Sequence, residues 1–210
     1  AVDFSFTLVG QDQLGALAKT SGGMVLLTAH AGNWQIALST LRCLGRKVCL
    51  VMRPEDNPAV REALQIDGRN DYVEIISPEG HLGGVVPVMN AMREGKVVSF
   101  MGDRVYGFES VEVDFLGDKA RFPCGAFVVA AAARVPIMVL LTAKAGLKSY
   151  MVDVSQVLHP EYRTGVGKRE QLTEWVQEFA CVLDRYIAEY PYQCFLFHDV
   201  WADKKGDVHG

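Results

Sequence analysis

Residues 24–38 read MVLLTAHAGNWQIAL, and the change of pattern inside this stretch decides the fold. Residues 24–29 form a short β-rich run, apolar toward both faces, as expected of a strand covered on each side. From Trp34 onward the apolar residues recur at three and four, through Ala37, Leu38, Leu41 and Leu44. That spacing predicts a helix with Asn33 as its N-cap and Gly45 beyond its last turn. His30, Gly32 and Asn33 therefore fall where a buried strand turns into a helix, the junction at which open α/β sheets keep their ligands.

Working outward, similar runs recur at residues 47–52, 73–76, 96–101, 136–142 and 194–198, while residues 111–115 and 148–154 alternate and read as half-exposed strands. Helical spacing separates them. It is clearest over residues 171–190, where Leu172, Trp175, Val176, Phe179, Leu183, Tyr186, Ile187 and Tyr190 make one stripe and Pro191 ends it. A glycine-rich turn, GHLGG at residues 80–84, precedes a further helix over 85–93. The alternation predicts an α/β fold: one domain over residues 1–210, with a mixed, mostly parallel sheet and helices on both faces. No repeat, low-complexity tract or linker interrupts it.

The chain has 210 residues, of which 50% are hydrophobic and 22% charged, enough for one sizeable core. Its formal net charge of -4 gives no general attraction to nucleic acid, which is not expected as a partner. Five cysteines, none in a C-x-x-C pair, indicate neither a disulfide framework nor a zinc site and fit a reducing cytoplasm. The most apolar region, residues 125–143, is split by Arg134 and Pro136 and is too short to span a bilayer. No secretory signal is visible, so this stretch of chain is expected to be soluble. It opens in mid-pattern without Met, as a fragment of something longer would.

The junction has the ingredients of acyl transfer. An imidazole at His30 would take a proton from an attacking hydroxyl, and the first free N–H groups of the helix would receive the oxyanion. Gly32 would let backbone approach closely, and Trp34 would wall the pocket. The plainer reading of His30 is a hydrogen-bonded structural residue at a strand end.

HAGNWQ (residues 30–35) resembles the H-x-G-N-W-E block of the lipid A biosynthesis acyltransferases, the bacterial lauroyl and myristoyl transferases of the lysophospholipid acyltransferase superfamily. The resemblance continues in order through RPEDNPAVREALQIDGR (53–69), GDRVYGFESVEVDFLG (102–117), the small-residue helix after Pro123, and YPYQCFLFH (190–198). It implies a glycerol-3-phosphate acyltransferase-like fold and a membrane-associated enzyme of lipid biosynthesis. Such an enzyme moves a fatty acyl group from acyl carrier protein, or acyl-CoA, onto a hydroxyl of a lipid or glycolipid. It further implies a peripheral position on the cytoplasmic face of the inner membrane and an N-terminal membrane-anchoring segment, which residues 1–210 are expected not to include. No metal or other cofactor is expected.

His30 carries over as the general base. The family's carboxylate five residues later falls on Gln35, and a neutral amide cannot stabilise an imidazolium by charge. Either another carboxylate serves, or the protein is a slow or silent homologue that still binds lipid or acyl carrier. Asp103, just beyond the 96–101 strand, is the candidate carboxylate if that strand neighbours the one before His30; otherwise it is a turn residue. Arg104 is a candidate for phosphate or the oxyanion. Arg53 and Arg69 match arginines of the second block, expected to hold phosphate of the acceptor or the carrier's phosphopantetheine.

Other residues read less sharply. Cys124 lies at a helix start, which suits an acyl-cysteine, although a buried small apolar residue is the favoured reading. His198, beside Asp199, is taken as structural, and no two histidines have metal spacing. Phe108, Phe115, Phe122 and Trp201 are read as core. No G-x-S-x-G, phosphate-loop or dinucleotide fingerprint is present.

Overall fold

A computed structural model describes residues 4–33, 45–52, 73–79, 84–105, 109–197 and 199–201. In chain order these form β1 (Ser5–Val9), α1 (Gln11–Ala18), β2 (Met24–Thr28), β3 (Val48–Val51), β4 (Val73–Ile76) and α2 (Val85–Arg93). They continue through β5 (Val97–Met101), β6 (Ser110–Phe115), β7 (Asp118–Pro123), α3 (Gly125–Ala133) and β8 (Ile137–Val139). The remainder is β9 (Leu141–Lys144), β10 (Ser149–Asp153), β11 (Val157–Leu158), α4 (Lys168–Glu189) and a short 3-10 turn, Pro191–Gln193.

The principal sheet has the order β11-β8-β2-β5-β3-β4, parallel throughout except at β11. Its centre is β2, whose five residues are all buried because β8 and β5 pair with its two edges and helical layers cover both faces. Val25, Leu27 and Ala29 join the core built with α2, α3 and α4, whereas Met24 and Leu26 join Leu14 and Leu17 of α1 on the other side. The expected mixed, mostly parallel α/β architecture with helices on both faces is the one observed. Truncating Leu26 or Leu27 to Ala would cost about 2–5 kcal/mol.

A single residue, Leu140, separates β8 from β9; its N–H still donates to Leu27 O at 2.8 Å before the chain leaves the principal sheet. β9 then pairs with β10, and β10 with β1, in a second sheet. The β6–β7 hairpin turns through Leu116 and Gly117, both at positive φ, as a two-residue type I′ turn requires. Its Phe115 and Phe122 pack edge to face, Phe122 meets Phe179 of α4, and Trp201 stacks on Phe115. Phe115 and Phe122 are thus core, and Phe108 lies outside the described residues.

Two expectations change. The 194–198 run is not a strand: only Cys194 forms a bridge, antiparallel to Ala31, and residues 195–197 are irregular. The last helix begins at Lys168, three residues ahead of the expected start at Gln171. Among the described residues no helix is long and apolar enough to cross a membrane.

Candidate active site

The site gathers at the C-terminal ends of β2 and β5. These strands run parallel in the register Thr28↔Met101, so two residues further on His30 faces Asp103. The carboxylate holds His30 at two points. Oδ2 accepts the His30 backbone N–H at 2.7 Å, and the ring Nδ1 lies 3.0 Å from Oδ1 and 3.1 Å from Oδ2. An ionised carboxylate only accepts hydrogen bonds, so Nδ1 carries the ring proton and Nε2 presents its lone pair. The Asp103 side chain is fully buried, while the His30 side chain is 26% exposed, which leaves the ring open to a ligand.

Other contacts hold the loop still. Phe195 N–H donates to His30 O at 2.7 Å, and Gly32 N–H donates to Gln193 O at 2.7 Å, so residues 193–195 run across the loop as a strap. Asn33 N–H donates to Thr142 Oγ1 at 2.7 Å, and Tyr186 Oη–H donates to Thr142 O at 2.5 Å. Gly32 adopts φ +60°, and a Cβ there would fall 1.5 Å from Thr142 O. Only glycine permits that approach. Gln193 fastens the strap by its side chain, accepting from Lys144 N–H at 2.7 Å and donating to Lys144 O at 3.1 Å.

The amides of Gly32 and Asn33 are therefore committed to protein acceptors and do not point free into a pocket. Any oxyanion donors of the junction lie beyond Asn33 or elsewhere. Trp34, Gln35, Arg53 and Arg69 fall outside the described residues, as do His81, His198 and His209. Arg104 follows Asp103 directly and is half-buried.

Two cysteines bear on the chemistry. Cys124 caps α3 but is fully buried, its thiol donates to Glu109 O at 2.9 Å, and burial, with the Glu109 charge, pushes it up to about 11. A thiol so held is a poor nucleophile at neutral pH, in keeping with the buried apolar reading. Cys194, half-buried on the strap, is raised mainly by burial, and the Asp103 charge adds to the rise. Thr142 and Tyr186 carry no site motif in the sequence, and Gln193, although inside the 190–198 block, is not marked there as a site residue; their part in holding the loop follows from the packing of strand, helix and strap.

The fold is similar to that of the 1-acyl-sn-glycerophosphate acyltransferase of Thermotoga maritima, with a TM-score of 0.50 and 11% identity over 91% of this chain and 74% of that one. No curated protein sequence matches the chain. The family model of the bacterial lipid A biosynthesis acyltransferases matches residues 1–203, and the chain belongs to that family of acyltransferases.

Proposed function

We propose that the protein transfers a fatty acyl group from a thioester, carried by acyl carrier protein or coenzyme A, to a hydroxyl of a lipid or glycolipid. The observation that carries this reading is the double hold of Asp103 on His30, which fixes the tautomer a general base needs. Nε2 takes the proton of the acceptor hydroxyl as its oxygen attacks the thioester carbonyl. The carbon–sulfur bond then breaks, and the imidazolium returns the proton to the departing thiolate. Asp103 stabilises the transient imidazolium by charge, a role that Gln35 cannot fill. Because the carboxylate stands against His30 whatever Gln35 does, the geometry favours turnover over a silent binding homologue.

With Gly32 and Asn33 amides occupied, Arg104 and the N–H groups after Asn33 are the donors we assign to the oxyanion. Trp34 walls the pocket, and Arg53 and Arg69 hold phosphate on the carrier or the acceptor. The acceptor's lipid nature is supported by exposed aromatic side chains on the strap that crosses the His30 loop. Tyr192 and Phe197 are 94% and 84% exposed, and Phe195 is also exposed. Through Gln193 and Lys144 the strap is tied to the second sheet, which pairs Lys144 with Tyr150 and Tyr150 with Phe6 and carries the exposed Phe4, Phe6, Leu147, Lys144 and Lys148 at its edge and turn. Aromatic rings with lysines beside them suit the headgroup level of an anionic bilayer, which fits a peripheral enzyme on the cytoplasmic face of the inner membrane.

The test is incorporation of radiolabelled lauroyl from acyl carrier protein into a glycolipid fraction. His30→Ala should lose it with the circular dichroism spectrum unchanged; full activity in that variant removes His30 from the chemistry. A native chain that binds the thioester and never turns it over establishes the binding homologue instead.

A further inference from the structure

Thr28 is 3% exposed, and its Oγ1 is the buried side-chain atom that, among the described residues, has no hydrogen-bond partner. Such a hydroxyl loses its hydration without return, and native structures rarely leave one so. Its position gives it a use. Successive β-strand side chains alternate between faces, and Ala29 and Ala31 lie in the core shared with α3 and α4. Thr28 and His30 therefore share the opposite face. Just past β5, a Cβ at Gly102 would meet Phe179 and Leu27, which belong to the α3–α4 core, so Asp103 falls on the side of Thr28.

Asp103 is fully buried, and every hydrogen bond it accepts among the described residues comes from one residue, His30. A carboxylate has about four acceptor positions, so capacity remains. A donor without an acceptor and an anion with acceptors to spare thus lie on one face of neighbouring strands, their backbone positions one β-repeat apart, roughly 7 Å along the strand direction. The two side chains reach across part of that spacing, and one water, whose two hydrogen bonds span up to about 5.6 Å at their usual lengths, can bridge the remainder.

We propose that Thr28 is a positioning residue for the His30–Asp103 pair, its Oγ–H donating through a single ordered water to the Asp103 carboxylate. The bridge holds the carboxylate in the rotamer that faces Nδ1, and its loss slackens the aim of the imidazole. The functional half of this inference rests on His30 acting as the base; the structural half does not.

The experiment is a double-mutant cycle on thermal stability, with Thr28→Val, Asp103→Asn and the pair, alongside kinetics of Thr28→Val and Thr28→Ser. If the link exists, Thr28→Val lowers Tm in the native protein and the loss shrinks in the Asp103→Asn background. A hydroxyl that is merely stranded predicts the reverse, a Tm that rises by the same amount in both backgrounds, and overturns the proposal. For positioning, Thr28→Val lowers kcat about tenfold with KM unchanged, the loss of one modest transition-state interaction, and Thr28→Ser restores it. Unchanged kcat, or a loss that Thr28→Ser does not repair, overturns that role. Thr28→Ala serves in both arms should the valine variant not fold. Inactivity of the native protein leaves the stability cycle readable, so failure of the base assignment and failure of the bridge give different results.

Discussion

Asp103→Asn is the perturbation whose outcome follows most directly from the geometry. Asparagine has nearly the same shape, and its amide oxygen can still accept the His30 backbone N–H that Oδ2 accepts at 2.7 Å. Its NH₂ then faces Nδ1, about 3 Å away. Two donors cannot face each other, so the imidazole must give up the Nδ1 proton and carry it on Nε2, the atom assigned to the acceptor hydroxyl. The base is then blocked rather than displaced. Loss of the correct tautomer and of the carboxylate charge in an Asp–His pair costs about 10⁴-fold, or about 5 kcal/mol of transition-state stabilisation. Stability should change far less, because a buried charge is removed together with its attraction. The assay is single-turnover transfer of labelled lauroyl, with near-ultraviolet circular dichroism as the check on packing. Activity within tenfold of native in a well-folded Asp103→Asn protein refutes the tautomer argument.

Gly32→Ala should destabilise by about 3 kcal/mol or more, since left-handed strain adds to overlap with Thr142 O, a fall in Tm of roughly 6–12 °C. Gly117→Ala, at φ +85° with open space around it, should cost only about 1–2 kcal/mol; equal losses in calorimetry would contradict the close approach at Gly32. Replacing Tyr192 and Phe197 together by Asp should weaken co-sedimentation with phosphatidylglycerol vesicles at least tenfold, given about 1.5–3 kcal/mol for each buried aromatic ring; unchanged binding moves the lipid contact elsewhere. Cys49 and Cys124, both raised by burial from 9.0 to about 11, hold their protons more tightly folded than unfolded. Their contribution is complete below pH 9 and is lost as pH climbs toward 11, so urea midpoints should be level from pH 7 to 9 and then fall. At pH 8 a maleimide should label exposed Cys181 well before either; rapid labelling of Cys124 would argue against its burial.

The strands that were legible are those whose side chains are buried on both faces, β2, β3, β5 and β8, because continuous apolar runs state their own environment. β7 was not legible: DKARFP carries two cations and a proline, and forms a strand only because β6 pairs with it across a two-residue turn. The edge strand β1 and the helix α1 went unread for a related reason, since β1 is mostly exposed and α1 buries only Leu14 and Leu17. Residues 194–197 misled in the opposite way. Aromatic composition favours a strand, yet Phe195 and Phe197 are exposed on a strap whose backbone makes a single bridge, Ala31 to Cys194, among the described residues. In the site, His30 and Gly32 were visible from local pattern. Asp103 was visible only on the condition that β2 and β5 be neighbours, because periodicity carries no strand order. Thr142, Tyr186 and Gln193 act from more than 100 residues away; Gln193 falls in the 190–198 block, but nothing local to any of the three names the loop it holds.

The strap has a consequence for biosynthesis. The loop bearing His30 leaves the ribosome well ahead of its partners: the hydrogen bonds to its carbonyl and to the Gly32 amide come from Phe195 and Gln193, more than 160 positions later. A nascent chain can therefore assemble β2, β5 and the imidazole–carboxylate contact while that loop still has open main-chain groups. Competence is deferred until residues 193–195 have emerged, so partial products that stop short of them would carry the reactive histidine without the frame that aims it.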